Sequence, residues 1–234
     1  MLSDTLEVLS ANIVILPEEP LKQIMNAISL FESRELAPFM RKPLTVGQGL
    51  NVDVALGTTT GMFQVESMKS QKTISLSPLR IEVHDRSGEP DLEKRRIPET
   101  MFALANALSI GRIKAIGANW EIMFKTLSGS PASKEIEEKL LLQDKSFLPK
   151  NLKPIGGAAR LFLSDLSDLS GIVVYTLAIE PRGQDPLIDD LWMSCNANRP
   201  NPEELSLDLL REMYQQSYDL LFKVKETLFP VPQL

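Results

Sequence analysis

The segment RIEVHDRSGEPDLEKRR, residues 80–96, holds the only histidine in the chain, His84, directly before Asp85. Imidazole beside a carboxylate is the chemistry of a general base or of a metal ligand set. Metal-dependent hydrolases built on a His-Asp pair need further histidines, and this chain has none. A Ser-His-Asp triad needs a nucleophile on a sharp turn of the Gly-x-Ser-x-Gly kind. Neither SGSP nor GSPAS supplies it. What remains is a lone histidine at the end of a strand. The period of two puts Arg80, Glu82 and His84 on one face of that strand, and that face is the polar one. His84, Arg80 and Glu82 are therefore candidate binding residues rather than catalytic ones.

A second group is acidic. Glu180, Asp185, Asp189 and Asp190 fall in EPRGQDPLIDD. Hard cations favour converging carboxylates, so Glu180, Asp189 and Asp190 are weak candidates for a carboxylate- or metal-dependent hydrolase. The spacing is not that of a calcium loop. Pro181, Gly183 and Pro186 predict a solvated loop between two strands. No cofactor site is expected. Gly47 and Gly49 begin a G-x-G-x-x-G whose third glycine is replaced by Val52, and a strand follows instead of a helix. Gly156 and Gly157 precede a strand and lack the lysine of a phosphate loop. The basic run Lys94–Arg96 is short and follows Glu89, Asp91 and Glu93, so a solvated turn is expected. Met213, Tyr214, Tyr218, Leu221 and Phe222 form an aromatic band on the last helix. Such a band serves core packing first, and it makes Tyr214 and Tyr218 candidates for a partner surface.

Composition sets wider bounds. The 234 residues are 43% hydrophobic and 24% charged, with a net charge of −6. That is ordinary for a globular chain, and nucleic acid is an unlikely partner because phosphates need clustered Lys and Arg. A single cysteine, Cys195, excludes an intramolecular disulfide and a cysteine-rich zinc site. The opening MLSDTLEVLSANIVIL lacks a basic segment before its apolar run and does not read as a signal peptide. No apolar run reaches the roughly 18 residues of a membrane span. A cytoplasmic location without membrane contact is expected.

The elements that must carry these residues can be read along the chain. LEVLSANIVILP predicts a strand and EEPLKQIMNAISLFESRE an amphipathic helix. A connector with Pro38, Pro43, Gly47 and Gly49 follows, then NVDVALG and MFQVESM as a hairpin with Val52, Val54 and Leu56 inward. In KTISLSPLRIEVHD, Pro78 predicts a bulge, an edge or a break between two strands. RRIPETMFALANALS predicts a helix buried through Ile97, Met101, Leu104, Ala105 and Leu108. The order then restarts. GRIKAIGANWEIMF predicts a long strand, with a bulge near Gly117 to bring Ile113 and Trp120 onto one face. SGSPASKEIEEKLL predicts a helix capped by Ser130 with Pro131 at its first position. ARLFLSD, GIVVYTLAIEPRG and LWMSCNANRP predict three strands. GIVVYTL is apolar enough for both faces to be covered. NPEELSLDLLREMYQQSYDLLFKVKETLF predicts a final long helix capped by Asn201, buried along Leu210, Met213, Tyr214, Ser217, Leu221 and Lys225.

Two halves, residues 1–110 and 111–234, thus show one order of strand, helix, strands and helix, within one structural unit. The expected class is α+β: an antiparallel sheet packed by helices on one side, built from two pseudo-repeated halves and ending in a long C-terminal helix. In element order this is similar to the TATA-box-binding protein, a duplicated saddle. The acidic composition does not supply that saddle's basic, wedge-bearing face. KTISLSPLRIEVHDRSG, GRIKAIGANWEIMF and LLREMYQQSYDLLFKV resemble a family of uncharacterised bacterial conserved proteins, which implies a bacterial α+β protein and assigns no site. The function expected from these residues is that of a non-catalytic soluble binding or interaction protein, part of an assembly, using the exposed sheet face or the C-terminal helix. Its partner would be a protein or a second copy of the chain. The carboxylate hydrolase on loop 180–190 and a nucleic-acid binder on the saddle analogy stand as alternatives.

Overall fold

The structure is a computed structural model that describes residues 6–21, 50–55, 62–67, 71–126, 130–141, 157–164, 172–185, 187–200 and 204–230. The expected helix over LKQIMNAISLF, the glycines Gly47, Gly49 and Gly156, and the inward placement of Val52, Val54 and Leu56 lie outside what is described.

Alternating burial organises the strands. In β4 (Lys72–Ser77) every second residue is buried, namely Lys72, Ile74 and Leu76. In β5 (Arg80–Asp85) the buried residues are Ile81, Val83 and Asp85. Pro78 and Leu79 form the turn between them, so the proline breaks the run into a hairpin, and Ser77 pairs with Arg80. β1 (Glu7–Pro17) lies beside β5 and β6 (Ile113–Lys125) beside β1. With β2 (Leu50–Ala55), β3 (Met62–Ser67), β7 (Ala159–Ser164), β8 (Val174–Pro181) and β9 (Asp190–Pro200), they form one nine-stranded sheet ordered β2-β3-β4-β5-β1-β6-β9-β8-β7. Every pairing is antiparallel. Read outward from the β1/β6 junction, the order is β5-β4-β3-β2 on one side and β9-β8-β7 on the other.

Two bulges keep the central pair in phase. Val8 and Ala11 are both buried although three residues apart, and the β1/β6 register shifts between Val8 and Ser10. Ile113 and Ile116 repeat the pattern, with the shift between Leu16 and Pro17. The bulge expected near Gly117 therefore sits earlier, at Lys114. Gly117 itself pairs regularly with Val14 and Asn198. From Ile116 onward, Ala118, Trp120, Ile122 and Phe124 all point into the core.

The helices pack on that one face. The single turn α1 (Leu92–Arg95) leads into α2 (Ile97–Ala107), which lies on β1 and β5 and against α4 (Leu207–Leu228). α2 buries Ile97, Met101, Leu104 and Ala105, as its spacing predicts, while Leu108 is only partly buried. α3 (Ala132–Leu140) packs on β8. It begins one residue later than expected, with Pro131 at the cap position. The Ser130 carbonyl instead accepts a hydrogen bond from Thr126 Oγ1 at 2.7 Å.

α4 likewise starts at Leu207, with the Ser206 hydroxyl accepting the Leu209 N–H at 3.1 Å. Just before it, Leu205 N–H is tied to the Gly111 carbonyl at 3.2 Å and its side chain is buried, so the helix cannot extend backward through it. α4 crosses β6 and β9, and its buried stripe is Leu210, Met213, Tyr214, Ser217, Leu221 and Lys225, as the helical period predicts. The two polar members have specific roles. Ser217 Oγ donates to the Cys195 carbonyl at 3.0 Å, and the Lys225 ammonium lies 5.5 Å from the Phe124 ring centre. Trp120 is the hub, with Tyr214 and Tyr218 at 4.7 and 5.0 Å between ring centres. No described helix is long and apolar enough to cross a membrane.

Candidate functional site

Neighbouring residues on a strand point to opposite faces, and this separates His84 from Asp85. Asp85 is buried under the helices. Lys72 Nζ and Arg95 Nη1 each lie 3.6 Å from its carboxylate, and all three side chains are at most 1% exposed. The Ser87 N–H donates to Asp85 Oδ1 at 2.7 Å, so Asp85 also folds the turn after β5. Arg95 additionally donates to the Asp85 carbonyl at 3.1 Å and to the Glu89 carbonyl. The run Lys94–Arg96 is thus not a fully solvated turn. Lys94 and Arg96 are exposed, but Arg95 enters the core. α1 is a single turn, and Arg95, at its last residue, faces the end of β5.

His84 lies on the opposite face, the one that carries no described helix. It pairs with Thr73 of β4 and with Asn12 of β1. Its Nε2 is buried and makes no hydrogen bond. Burial, and then the Arg86 cation, lower its pKa below 6.5, against the partial opposition of Glu82, Glu121 and Asp85. The imidazole is therefore held neutral, and with Asp85 on the far side of the sheet the two residues form no dyad.

The register extends His84 into a row across the sheet. Thr73, His84 and Asn12 stand side by side on β4, β5 and β1; Asn119, Asn196 and Thr176 continue the row on β6, β9 and β8. Asn119 Nδ2 donates to Asn12 Oδ1. Asn12 Nδ2 donates to Glu82 Oε1 at 3.0 Å, and Arg80 Nη2 meets Glu82 Oε2 at 2.9 Å. One row further along, Ser10 Oγ donates to Glu121 Oε2 at 2.9 Å. The result is a hydrogen-bonded line Asn119–Asn12–Glu82–Arg80 over three strands. It joins two of the three sheet-face candidates read from the sequence, Arg80 and Glu82, to two asparagines the sequence reading missed, while His84 stands beside Asn12 by register alone. Their signal was available: SANI (10–13) and GANW (117–120) each place one asparagine among core residues in the two central strands.

The remaining candidates lie elsewhere. Tyr214 is 3% exposed beneath α4, where burial pushes its pKa well above 10. Its hydroxyl is buried without a hydrogen bond, and it offers no partner surface. Tyr218 is half-buried and stacks on Phe222 at 4.2 Å. These two rings line a cavity of about 650 Å³ at the end of the sheet, together with Val8, Lys125, Arg182 and Asp190. Of the acidic candidates, Asp190 faces Arg182 at 3.3 Å and Lys125 at 3.8 Å, Asp189 faces Lys125 at 3.4 Å, and Glu180 faces Arg160 at 3.4 Å. Each of these three carboxylates faces a cation, and Lys125 serves both Asp189 and Asp190. Among the described residues no three potential ligands converge on a metal position. Ile172 and Val174 are 36% and 37% exposed, so GIVVYTL is not covered on both faces. No protein-family model matches the chain, and no curated protein matches it.

Proposed function

We propose that the protein is a non-catalytic binding protein of the cytoplasm whose working surface is the sheet face opposite the described helices, and that its ligand is a partner protein. The observation that carries this reading is the row Thr73–His84–Asn12–Asn119–Asn196–Thr176, polar at every position across six adjacent strands. A sheet face that only needs to be wet has no use for a linked line of amides and a carboxylate. Side-chain amides offer a donor and an acceptor each, which suits the mixed polar surface of a protein. Glu82 and Glu121 beside the row disfavour nucleic acid, whose phosphates they would repel. The helix alternative loses support because α4 spends its apolar stripe on the core. The hydrolase alternative lacks converging carboxylates among the described residues.

The test is site-specific photo-crosslinking in cells of the source organism. A photoreactive side chain at Asn198, on the same face, is expected to give one discrete adduct, and the adduct is expected to vanish with Asn119→Leu. The same group at Glu212, on the outer side of α4, is expected to give none. Adducts from Glu212 alone, or adducts indifferent to Asn119→Leu, would overturn the proposal.

A further inference from the structure

The sheet ends on β7, and that edge is unlike an edge built to stay alone. β7 pairs with β8 over six consecutive residues, Ala159–Ser164, without a bulge, and among the described residues no strand lies on its other side. Its outer N–H and C=O groups are thus a template for a further strand. Edge strands are normally protected by proline, by bulges or by inward charges. ARLFLS has none of these, because its one charge, Arg160, is drawn to Glu180 at 3.4 Å on the face opposite the described helices. Its large apolar side chains are exposed on both faces. Leu161 and Leu163, on the helix side opposite Leu177 and Tyr175, are 37% and 38% exposed. Phe162, on the side opposite the described helices, is 73% exposed.

We infer that β7 is the interface through which two copies of this chain pair, edge to edge and antiparallel, about a twofold axis through Phe162. A second copy is favoured over an unrelated strand because the sequence of the edge complements itself. Continuing both faces of the sheet requires residues of like parity to stand opposite each other. With Phe162 opposite its own mate, Leu161 meets Leu163 twice on the helix side. Arg160 then meets Ser164, so no like charges face each other. The next allowed register, centred on Leu161, sets Arg160 against Phe162 and leaves Leu163 opposite only Ala159. Isologous pairing of this kind is the usual closed solution for a homodimer. A six-residue edge offers less than the roughly 800 Å² per partner of a standard interface. The dimer is therefore expected to dissociate on dilution.

Sedimentation equilibrium of the full chain tests this. The wild type is expected to shift from monomer to dimer with concentration, and Phe162→Lys, which sets two ammonium groups opposite each other, to stay monomeric with unchanged circular dichroism. Register is read by cysteine cross-linking with a short bis-maleimide, against which buried Cys195 is silent. Phe162→Cys is expected to link to itself. Arg160→Cys is expected to link only to Ser164→Cys in a mixture. A wild type that is monomeric at every concentration overturns the proposal, as does a dimer that survives Phe162→Lys or links in another register. Because Phe162→Lys leaves Asn12, Asn119 and Asn196 in place, loss of the dimer and loss of the partner adduct are separable results.

Discussion

The guanidinium carbon of Arg95 lies 5.1 Å from the ring centre of Trp120, and both side chains are fully buried. A cation of this kind is tolerated in a core because its charge is delocalised, weakly hydrated and matched to an aromatic face. Asp85 supplies the counter-charge for both Arg95 and Lys72. Lys72 also donates to the Arg95 backbone carbonyl, so β4, β5 and α1 are closed into one unit. This polar knot lies directly beneath the strand that carries His84 and Glu82 on its other face, and so it holds the candidate surface in place.

Asp85→Ala leaves two cations in the core without their carboxylate. Breaking a buried ion pair from one side costs about 3–5 kcal/mol. Urea titration is expected to show a loss of that size, whereas Glu82→Gln on the open face is expected to cost no more than about 1 kcal/mol. Equal, small effects would contradict the structural role given to Asp85.

Trp120→Phe removes the indole N–H that donates to the Tyr214 carbonyl at 3.1 Å, and it shrinks the contact with Tyr214, Tyr218 and Arg95. Combining the lost bond with a partly filled cavity gives an expected loss of about 2–4 kcal/mol. Thermal unfolding followed by circular dichroism measures it.

His84 makes stability depend on pH with a definite sign. Its pKa in the fold lies below the 6.5 of the unfolded chain, chiefly because of burial and then because of Arg86. The unfolded state therefore binds a proton at a pH where the native state does not. The contribution is fully present above 6.5 and is lost as the pH falls toward the folded value. As the chain's only histidine, it gives a single Hε1 resonance, whose titration midpoint is expected below 6.5. His84→Gln is expected to flatten the dependence of the urea midpoint in that window.

Cys195 is buried between β6 and β8, and burial pushes its thiol pKa up to about 11. A thiol that stays protonated and enclosed is unreactive. Disulfide-exchange reagents at neutral pH are expected to leave it unmodified in the folded protein and to label it fully in denaturant. Labelling at the rate of an exposed cysteine would place β9 elsewhere.

Much of this architecture is legible along the chain. RIEVHD alternates, and its polar members do share one face. The period of α4 marked Ser217 and Lys225 as part of a buried stripe before either had a visible partner. What misled was local in a different way. Gly117 looked like the natural place for a bulge because glycine tolerates one, yet the irregularity sits at Lys114, where β1 reaches Pro17. Proline cannot donate to the ladder, and the register shift falls at that residue. Lys94–Arg96 looked solvated because its neighbours are acidic, but one turn of helix rotates its middle member away from them.

By itself the sequence determined which residues alternate and which helices are amphipathic. These depend on the period of each element and on turn chemistry, and both are local properties. Only the tertiary structure decided that Asn12 stands against Asn119, that Arg95 shares Asp85 with Lys72, and that Tyr214 is sealed while no described strand lies beyond β7. Each of those facts depends on strand order and register. Segments far apart in the chain meet there, and their pairing is fixed by the burial of the whole sheet face, to which no single segment holds the information.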